Sequence, residues 1–287
     1  MNSNHEITNQ IVANNLSELA DILEQQNANR YRVMAYRQAA DEIERFQRSI
    51  VDFALDRGTE GLIELPHIGQ TIASAIMEMV DTGHWSQLQR LRGTANPEAL
   101  FRSIPGLGPQ LAHEIYEHLH IDSLEALESA CHDGRLETVP GVGRKRLAIV
   151  REILAERLGR RRLKSKTNMN WPPIQLLLDV DYQYRQKDKD RVLPCISPKR
   201  FNPKEEAWLP ILHLEIDEWT FTALYSNTAR AHQLKKTKDW VVIYFHTNSS
   251  HEDQCTIVTE THGPLEGERV VRGREGDCIA FYADKIY

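Results

Sequence analysis

Apolar side chains recur at helical spacing through roughly the first 160 residues and then change to runs and alternations that read as strands. Ile11, Leu16, Leu19, Ile22 and Leu23 fall on one side of a helix predicted from about Thr8 to Gln26. Further helices are predicted over Tyr31–Arg48, Ile50–Leu55 (ending near Arg57-Gly58), Thr71–Asp81, Trp85–Leu91 and the unit from Pro97 to about His120. Asp122 reads as the cap of another, with Glu125 three positions on in capping-box register. A long helix then runs to about Arg161. Beyond Pro172-Pro173, strands are predicted over Ile174–Tyr184, Leu209–Ile216, Trp219–Tyr225, Trp240–Phe245, Cys255–Thr261, Glu268–Arg274 and Cys278–Tyr282. Asp217-Glu218 makes a hairpin of the second and third, and Asn227 caps a short helix through Leu234. The fold class is therefore a mainly α N-terminal half followed by a β-rich α+β domain with six or seven strands. The expected divisions are a tail 1–8, helical domains 9–92 and 93–162, a basic linker 163–172 and the α+β domain 173–287.

One local pattern occurs three times in the helical half. Leu65-Pro66-His67-Ile68-Gly69, Ile104-Pro105-Gly106-Leu107-Gly108 and Val139-Pro140-Gly141-Val142-Gly143 each precede a run with helical periodicity. They begin 39 and 35 residues apart, a repeat spacing suited to helix–turn–helix units. Glycine allows positive φ, so both glycines of a corner are expected to help the chain turn. The free N–H groups of the helix that follows make an anion site. Three such clamps with no base-reading side chains suit a sequence-independent grip on nucleic-acid phosphates.

Composition narrows the class. The chain is 26% charged and 41% hydrophobic, the profile of a globular protein, and no apolar run approaches a membrane span. A cytoplasmic, nucleoid-associated protein is the expectation. Cys131, Cys195, Cys255 and Cys278 lack metal or disulfide spacing and read as buried, reduced thiols. The net charge of −6 argues against bulk attraction to DNA, yet residues Gly143 to Lys166 hold ten Lys or Arg against two Glu. Arg144, Lys145 and Arg146 open that block directly on the third corner, where a phosphate would sit.

Asn15-Leu16-Ser17-Glu18-Leu19-Ala20, Tyr31 to Ala40, the first corner with Thr82-Gly83, and the second corner together resemble the N-terminal half of an X-family DNA polymerase. The third corner, with Ser123 to Glu128 and Gly134-Arg135-Leu136 before it, is similar to the bacterial branch of that family. The resemblance runs from about Asn9 to Leu158. It implies a lyase-like domain and a fingers-like domain that grip gapped DNA on either side of the gap. It also implies Na⁺ or K⁺ at hairpin carbonyls, here those of Leu65, Ile68, Ile104 and Leu107. The DNA-contacting set carried over or read from the corners is Arg32, Tyr36, Arg37, His67, Gly69, Gly106, Gly108, Gly141, Gly143, Arg144, Lys145 and Arg146. Where members with lyase activity carry lysines, this chain has Thr71 and Ala75, so no amine is present to form a Schiff base. A pocket for a 5′-phosphate keeps Arg32, Tyr36 and Arg37 but gains no charge from Thr71.

The second half lacks the Gly-Ser step that precedes a polymerase Asp-x-Asp. Asp179-Val180-Asp181, on a strand, would place both carboxylates on one face, able to share a divalent cation. Asn227, Arg230 and His232 suggest an anion site at a helix start, and His213, Glu260, His262, Arg272 and Arg274 are candidates for the same sheet face. The leading reading is a DNA-binding protein of repair or maintenance without polymerase or lyase chemistry. The rivals are a metal-dependent nuclease or nucleotidyl transferase using Asp179, Asp181 and Glu260, and an adaptor whose sheet binds another repair protein.

Overall fold

The computed structural model describes residues 7–94, 96–159, 171–247 and 252–284; linker residues 163–170, among them Lys164 and Lys166, and Arg160, Arg161 and Arg162 lie outside them. Two long helices, α1 (Asn9–Gln25) and α2 (Arg30–Arg45), pair first. Thr8 and Asn29 cap them, each side-chain oxygen accepting a first-turn N–H. α3 (Ile50–Ile63) runs through the expected stop: Gly58, at φ 63°, kinks the chain and helix resumes to bury Leu62. α4 (Gln70–Thr82) ends on a left-handed Gly83, and α5 (Ser86–Leu91) follows Trp85, which lies just outside it. Then come α6 (Pro97–Phe101), α7 (Pro109–Leu119), α8 (Leu124–His132) and α9 (Arg144–Gly159). The cap of α8 is Ser123, whose Oγ accepts from Ala126 N at 3.1 Å, and not Asp122.

The remainder is a six-stranded antiparallel sheet in simple order: β1 (Cys195–Ile196), β2 (Leu209–Ile216), β3 (Trp219–Tyr225), β4 (Val241–Thr247), β5 (Asp253–Thr259) and β6 (Arg269–Val271). Two segments expected as strands are helices, α10 (Ile174–Lys189) and α12 (Glu275–Asp284). In α10 the buried positions Ile174, Leu177, Leu178, Asp181 and Tyr184 recur at three and four, a helical period that the run Leu176-Leu177-Leu178 disguises. Before α12 the chain turns at Gly273 (φ 84°), which shortens β6 to three residues. Thr228, not Asn227, caps the short helix α11 (Ala229–Gln233).

Burial separates the two faces of the sheet. Trp219, Phe221, Ala223, Ile243 and Phe245 form an apolar face; Tyr184 of α10 packs edge-on to Tyr225 there, and its hydroxyl donates to Pro210 O at 2.9 Å. The opposite face carries His213, Thr222, Tyr244 and Gln254, and it lies against the helical half. Two apolar clusters result. One joins α1–α5 with the sheet domain, and the other spans Leu100 to Leu154. Of the cysteines, Cys131, Cys255 and Cys278 are buried; Cys195, expected to be buried, is exposed on the edge strand β1.

Candidate nucleic-acid interface

Each corner is held from within by its apolar residues. Ile68, Ile104, Leu107 and Val139 are buried, while Gly69, Gly106, Gly108, Gly141 and Gly143 are not. A turn bond closes each corner: Ile68 N to Leu65 O at 3.3 Å, Leu107 N to Ile104 O at 3.0 Å and Val142 N to Val139 O at 3.1 Å. Only the first special residue of each corner takes positive φ: His67 62°, Gly106 90° and Gly141 88°. The second glycine does not, with φ −84° at Gly69 and −73° at Gly108. The expectation that both glycines supply the turn is thus corrected.

That correction makes the second glycine the more informative one. It sits at the N-cap of α4 and α7 with extended backbone and no side-chain cap bond. Ser, Thr, Asp or Asn would stabilise the helix better there. A Cβ built on Gly69, Gly108 or Gly143 meets no protein atom within 4 Å. Neither φ nor packing inside the protein calls for glycine at these positions. What bare backbone leaves there is a set of uncapped N–H groups that an external anion can approach closely.

The third corner adds charge. Arg144, Lys145 and Arg146 occupy the exposed first turn of α9, and Arg146 Nη1 donates to the carbonyl of Gly141. Cations at a helix start oppose the helix dipole, so this placement favours an anion among them over helix stability. Arg37, by contrast, is already paired: its Nη2 lies 3.0 Å from Asp21 and 2.7 Å from Glu24, both on α1.

Arg32 and Tyr36 meet beneath the first corner. Tyr36 is buried, donates to Gln87 Oε1 at 3.3 Å, and has its phenol pushed up by burial. The three guanidinium nitrogens of Arg32 are buried without a hydrogen-bond partner. They face a cavity of about 390 Å³ whose walls include Tyr31, His67, Gly69, Thr71 and, from the sheet, Glu215, Asp217 and His246.

The polar face of the sheet joins the helical half through a network in which Asp122 and His213 take roles other than those expected of them, and in which Arg90, Tyr244, Glu252 and Gln254 were not singled out by the sequence. Arg90 is 4% exposed; its Nη1 lies 3.1 Å from both oxygens of Asp122, and its Nη2 binds Glu252. The Tyr244 hydroxyl donates to the same Asp122 at 2.9 Å. His213 contacts Gln26 Oε1 at 2.9 Å, and Gln254 donates to His120 O at 2.8 Å. An arginine beside Leu88 and Leu91 in a short helix was the only local signal of this network.

The second-half candidates do not assemble into an acidic metal site. On a helix, Asp179 and Asp181 point apart: Asp179 is exposed, while Asp181 is buried and bonded to Arg185 (2.9 Å) and Arg269 (2.6 Å). Glu260 pairs with Arg272, and Arg274 donates to Pro172 O. Nor do Asn227, Arg230 and His232 leave a free helix start. Arg230 N donates to Glu117 at 2.8 Å, Ala231 N to Thr228, and Asn227 Oδ1 accepts from His232 Nε2 at 2.6 Å. Among the described residues, Glu98, His113 and Glu117 come within coordinating distance of one another. Arg200 already pairs with Glu98 (3.1 Å) and Glu117 (2.8 Å).

These corners define the first half: it is built of helix-hairpin-helix domains. Residues 7–85 match a helix-hairpin-helix domain, and residues 98–155 match a SAM-like helix-hairpin-helix tandem. Over 143 residues, 49% of this chain, it is 29% identical to the DNA polymerase/3′-5′ exonuclease PolX of Bacillus subtilis (strain 168). The chain spans 24% of the length of that relative. Both findings agree with the X-family resemblance of the first half. No described helix is long and apolar enough to cross a membrane.

Proposed function

We propose that the chain binds DNA through phosphate contacts, without sequence preference, at gaps, nicks or bends, in a repair or maintenance role. The observation that carries this reading is the second glycine of each corner. Gly69, Gly108 and Gly143 give up a capping side chain although nothing inside the protein crowds their Cβ positions. Close approach of a ligand backbone supplies the missing reason. The likeness to a polymerase and the cations on the first turn of α9 support the same ligand.

In this reading the chain supplies grip rather than polymerase or lyase chemistry. Thr71 and Ala75 offer no nucleophilic amine, and Asp181 is committed to Arg185 and Arg269. Na⁺ or K⁺ on the carbonyls of Leu65, Ile68, Ile104 and Leu107 would bridge the first two corners to phosphate oxygens. Localisation with the nucleoid, and contact with other repair proteins through the sheet domain, belong to the same proposal.

The test is competitive binding of the full chain to intact, nicked and gapped duplexes of one sequence and of its scrambled version. Gapped DNA should bind most tightly, and scrambling should change affinity less than twofold. Borohydride trapping on abasic DNA should give no adduct on α4. A large preference for one sequence, or an adduct on α4, would overturn the proposal.

A further inference from the structure

Two segments of the sheet domain meet beside α7. One is the loop between β1 and β2, residues 197–208; the other joins β3 to β4 through α11. Asn227 ties them, its Nδ2 donating to Arg200 O at 3.0 Å and its Oδ1 accepting from His232. Three rings gather there: the His232 ring lies 6.1 Å from that of Trp208 and 4.6 Å from that of Phe201, centre to centre. Trp208 and His232 are half-buried, whereas Phe201 is 45% exposed. The backbone displays that ring at a cost. Phe201 takes φ 56°, a left-handed conformation that a bulky side chain rarely adopts. The buried Asn202 holds the turn, its Nδ2 donating to Glu206 O at 2.8 Å and its Oδ1 accepting from Glu206 N at 3.1 Å. A braced, strained turn that ends in an exposed ring calls for a group outside the protein to cover the ring.

Charge narrows what that group is. Lys199, Lys204, Arg230 and Lys235 stand within three residues of Phe201 or His232 in the chain, are exposed, and form no ion pair among the described residues. The exposed carboxylates of Glu205 and Glu206 offset only half of this charge, in a chain whose net charge is −6. Rings interleaved with cations suit an unpaired strand, whose base faces are free to stack and whose phosphates are close by. A duplex hides those faces and gains nothing from Phe201. The location agrees. Arg200 Nη2 and Arg230 N both bond the carboxylate of Glu117 at 2.8 Å, so the rings stand at the C-terminal end of α7. Gly108 caps the other end of that 11-residue helix, about 16 Å away. A strand that runs on from a duplex held at the second corner meets the rings within a few nucleotides.

We propose that Phe201, with His232 beside it and the cations of both segments, is a stacking platform for an unpaired DNA strand. The sheet domain thereby carries a nucleic-acid site of its own, separate from the hairpin corners. The proposal rests on the reading of the helical half as DNA-binding for the source of the strand.

The experiment measures affinity of the full chain for a blunt duplex, for the same duplex with a single-stranded oligothymidine tail, and for free oligothymidine. The tail should raise affinity about tenfold or more over the blunt duplex. Phe201→Ala should remove roughly tenfold of affinity for the tailed duplex. It should keep the parent's affinity for the blunt duplex, which also reports that it folds. Phe201→Trp should keep the preference for the tail. Changing Lys199, Lys204 and Lys235 to Gln should flatten the salt dependence for the tailed duplex and not for the blunt one. Irradiation of a tail carrying iodouracil should crosslink it to peptides within residues 197–208 or 226–236. No gain from the tail, or parent-like binding of the tailed duplex by Phe201→Ala, would overturn the platform and leave the grip of the corners standing. Crosslinks confined to the helical half would overturn it as well. Failure to bind either duplex would instead overturn the broader reading, and the platform would then be decided by whether Phe201→Ala weakens binding of free oligothymidine.

Discussion

The guanidinium of Arg90 lies 3.4 Å from the centroid of the Tyr244 ring, and both residues hold Asp122. Arg90 belongs to the first helical domain and Tyr244 to the centre of the sheet, so a buried ion pair and a ring add to the apolar cluster that joins the two halves. Burial pushes the Asp122 carboxyl up, and the Arg90 guanidinium beside it opposes that effect. Removing the cation leaves a buried carboxylate alone. Arg90→Met should cost about 3–5 kcal/mol in urea unfolding. Adding Asp122→Leu to it should restore most of that loss. Tyr244→Phe should cost about 1 kcal/mol. A loss well under 1 kcal/mol in Arg90→Met would show that this ion pair contributes little to the joint.

The capping glycines separate binding from stability. Gly69→Ser, Gly108→Ser and Gly143→Ser put a hydroxymethyl group into open space at helix starts, where Ser can accept a first-turn N–H. Thermal stability should hold or rise slightly, while each change should weaken DNA binding about tenfold, or about 1.4 kcal/mol. Gly106→Ala differs because φ is 90° there; it should lower stability as well. Unchanged DNA affinity in all three cap variants would remove the hairpins from the interface.

Three histidines are held neutral by the fold. Burial, and then Arg230, pulls His120 down to about 3; burial, and then Arg32, does the same to His246; burial, Arg32 and Arg90 hold His213 well below its ordinary value. The unfolded chain takes up these protons near pH 6.5 and the folded chain does not, so stability is full above that value and falls as pH drops toward 3. The expected slope is about 1.4 kcal/mol per pH unit for each histidine. Urea unfolding at pH 7.5 and 5 should show a loss of several kcal/mol, and His120→Gln should remove about a third of the slope. Equal stability at the two values would contradict the burial of these rings.

The basic start of α9 should behave asymmetrically. Replacing Arg144, Lys145 and Arg146 with Gln removes cations that oppose the helix dipole, so thermal stability should stay level or rise. DNA affinity should fall, and the dependence on salt should flatten by up to about 0.9 for each phosphate that is no longer neutralised. Parent-like binding by this variant would reduce the third corner to a bend.

The helical half was legible because its signals are local. A corner of apolar residue, Pro, turn residue, apolar residue and Gly carries its own instructions, as does the apolar stripe Leu16, Leu19 and Leu23 of α1. The hairpin of β2 and β3 about Asp217-Glu218 was legible for the same reason. Local reading failed where neighbours compete or partners are distant. Asp122 and Ser123 both suit a cap, and only the buried Arg90, 32 residues away, decides which is used. Asp179 and Asp181 alternate like strand residues, but Asp181 is fixed by Arg269, 88 residues on, in a helical period. The cavity at Arg32 was half legible: Arg32 and Tyr36 stood out by resemblance, whereas His246 emerges only once β4 is laid against the first corner.

DNA gripped by phosphates should show it in the salt dependence of binding. Affinity of the full chain for a gapped duplex and for its scrambled counterpart, measured from about 50 to 200 mM salt, tests this most directly. The two sequences should fall on one straight line of log affinity against log salt, with a slope of about −0.9 for each phosphate neutralised. The Gly69→Ser, Gly108→Ser, Gly143→Ser triple variant should bind both more weakly and equally. A flat salt dependence, or lines that separate by sequence, would contradict a grip on the backbone.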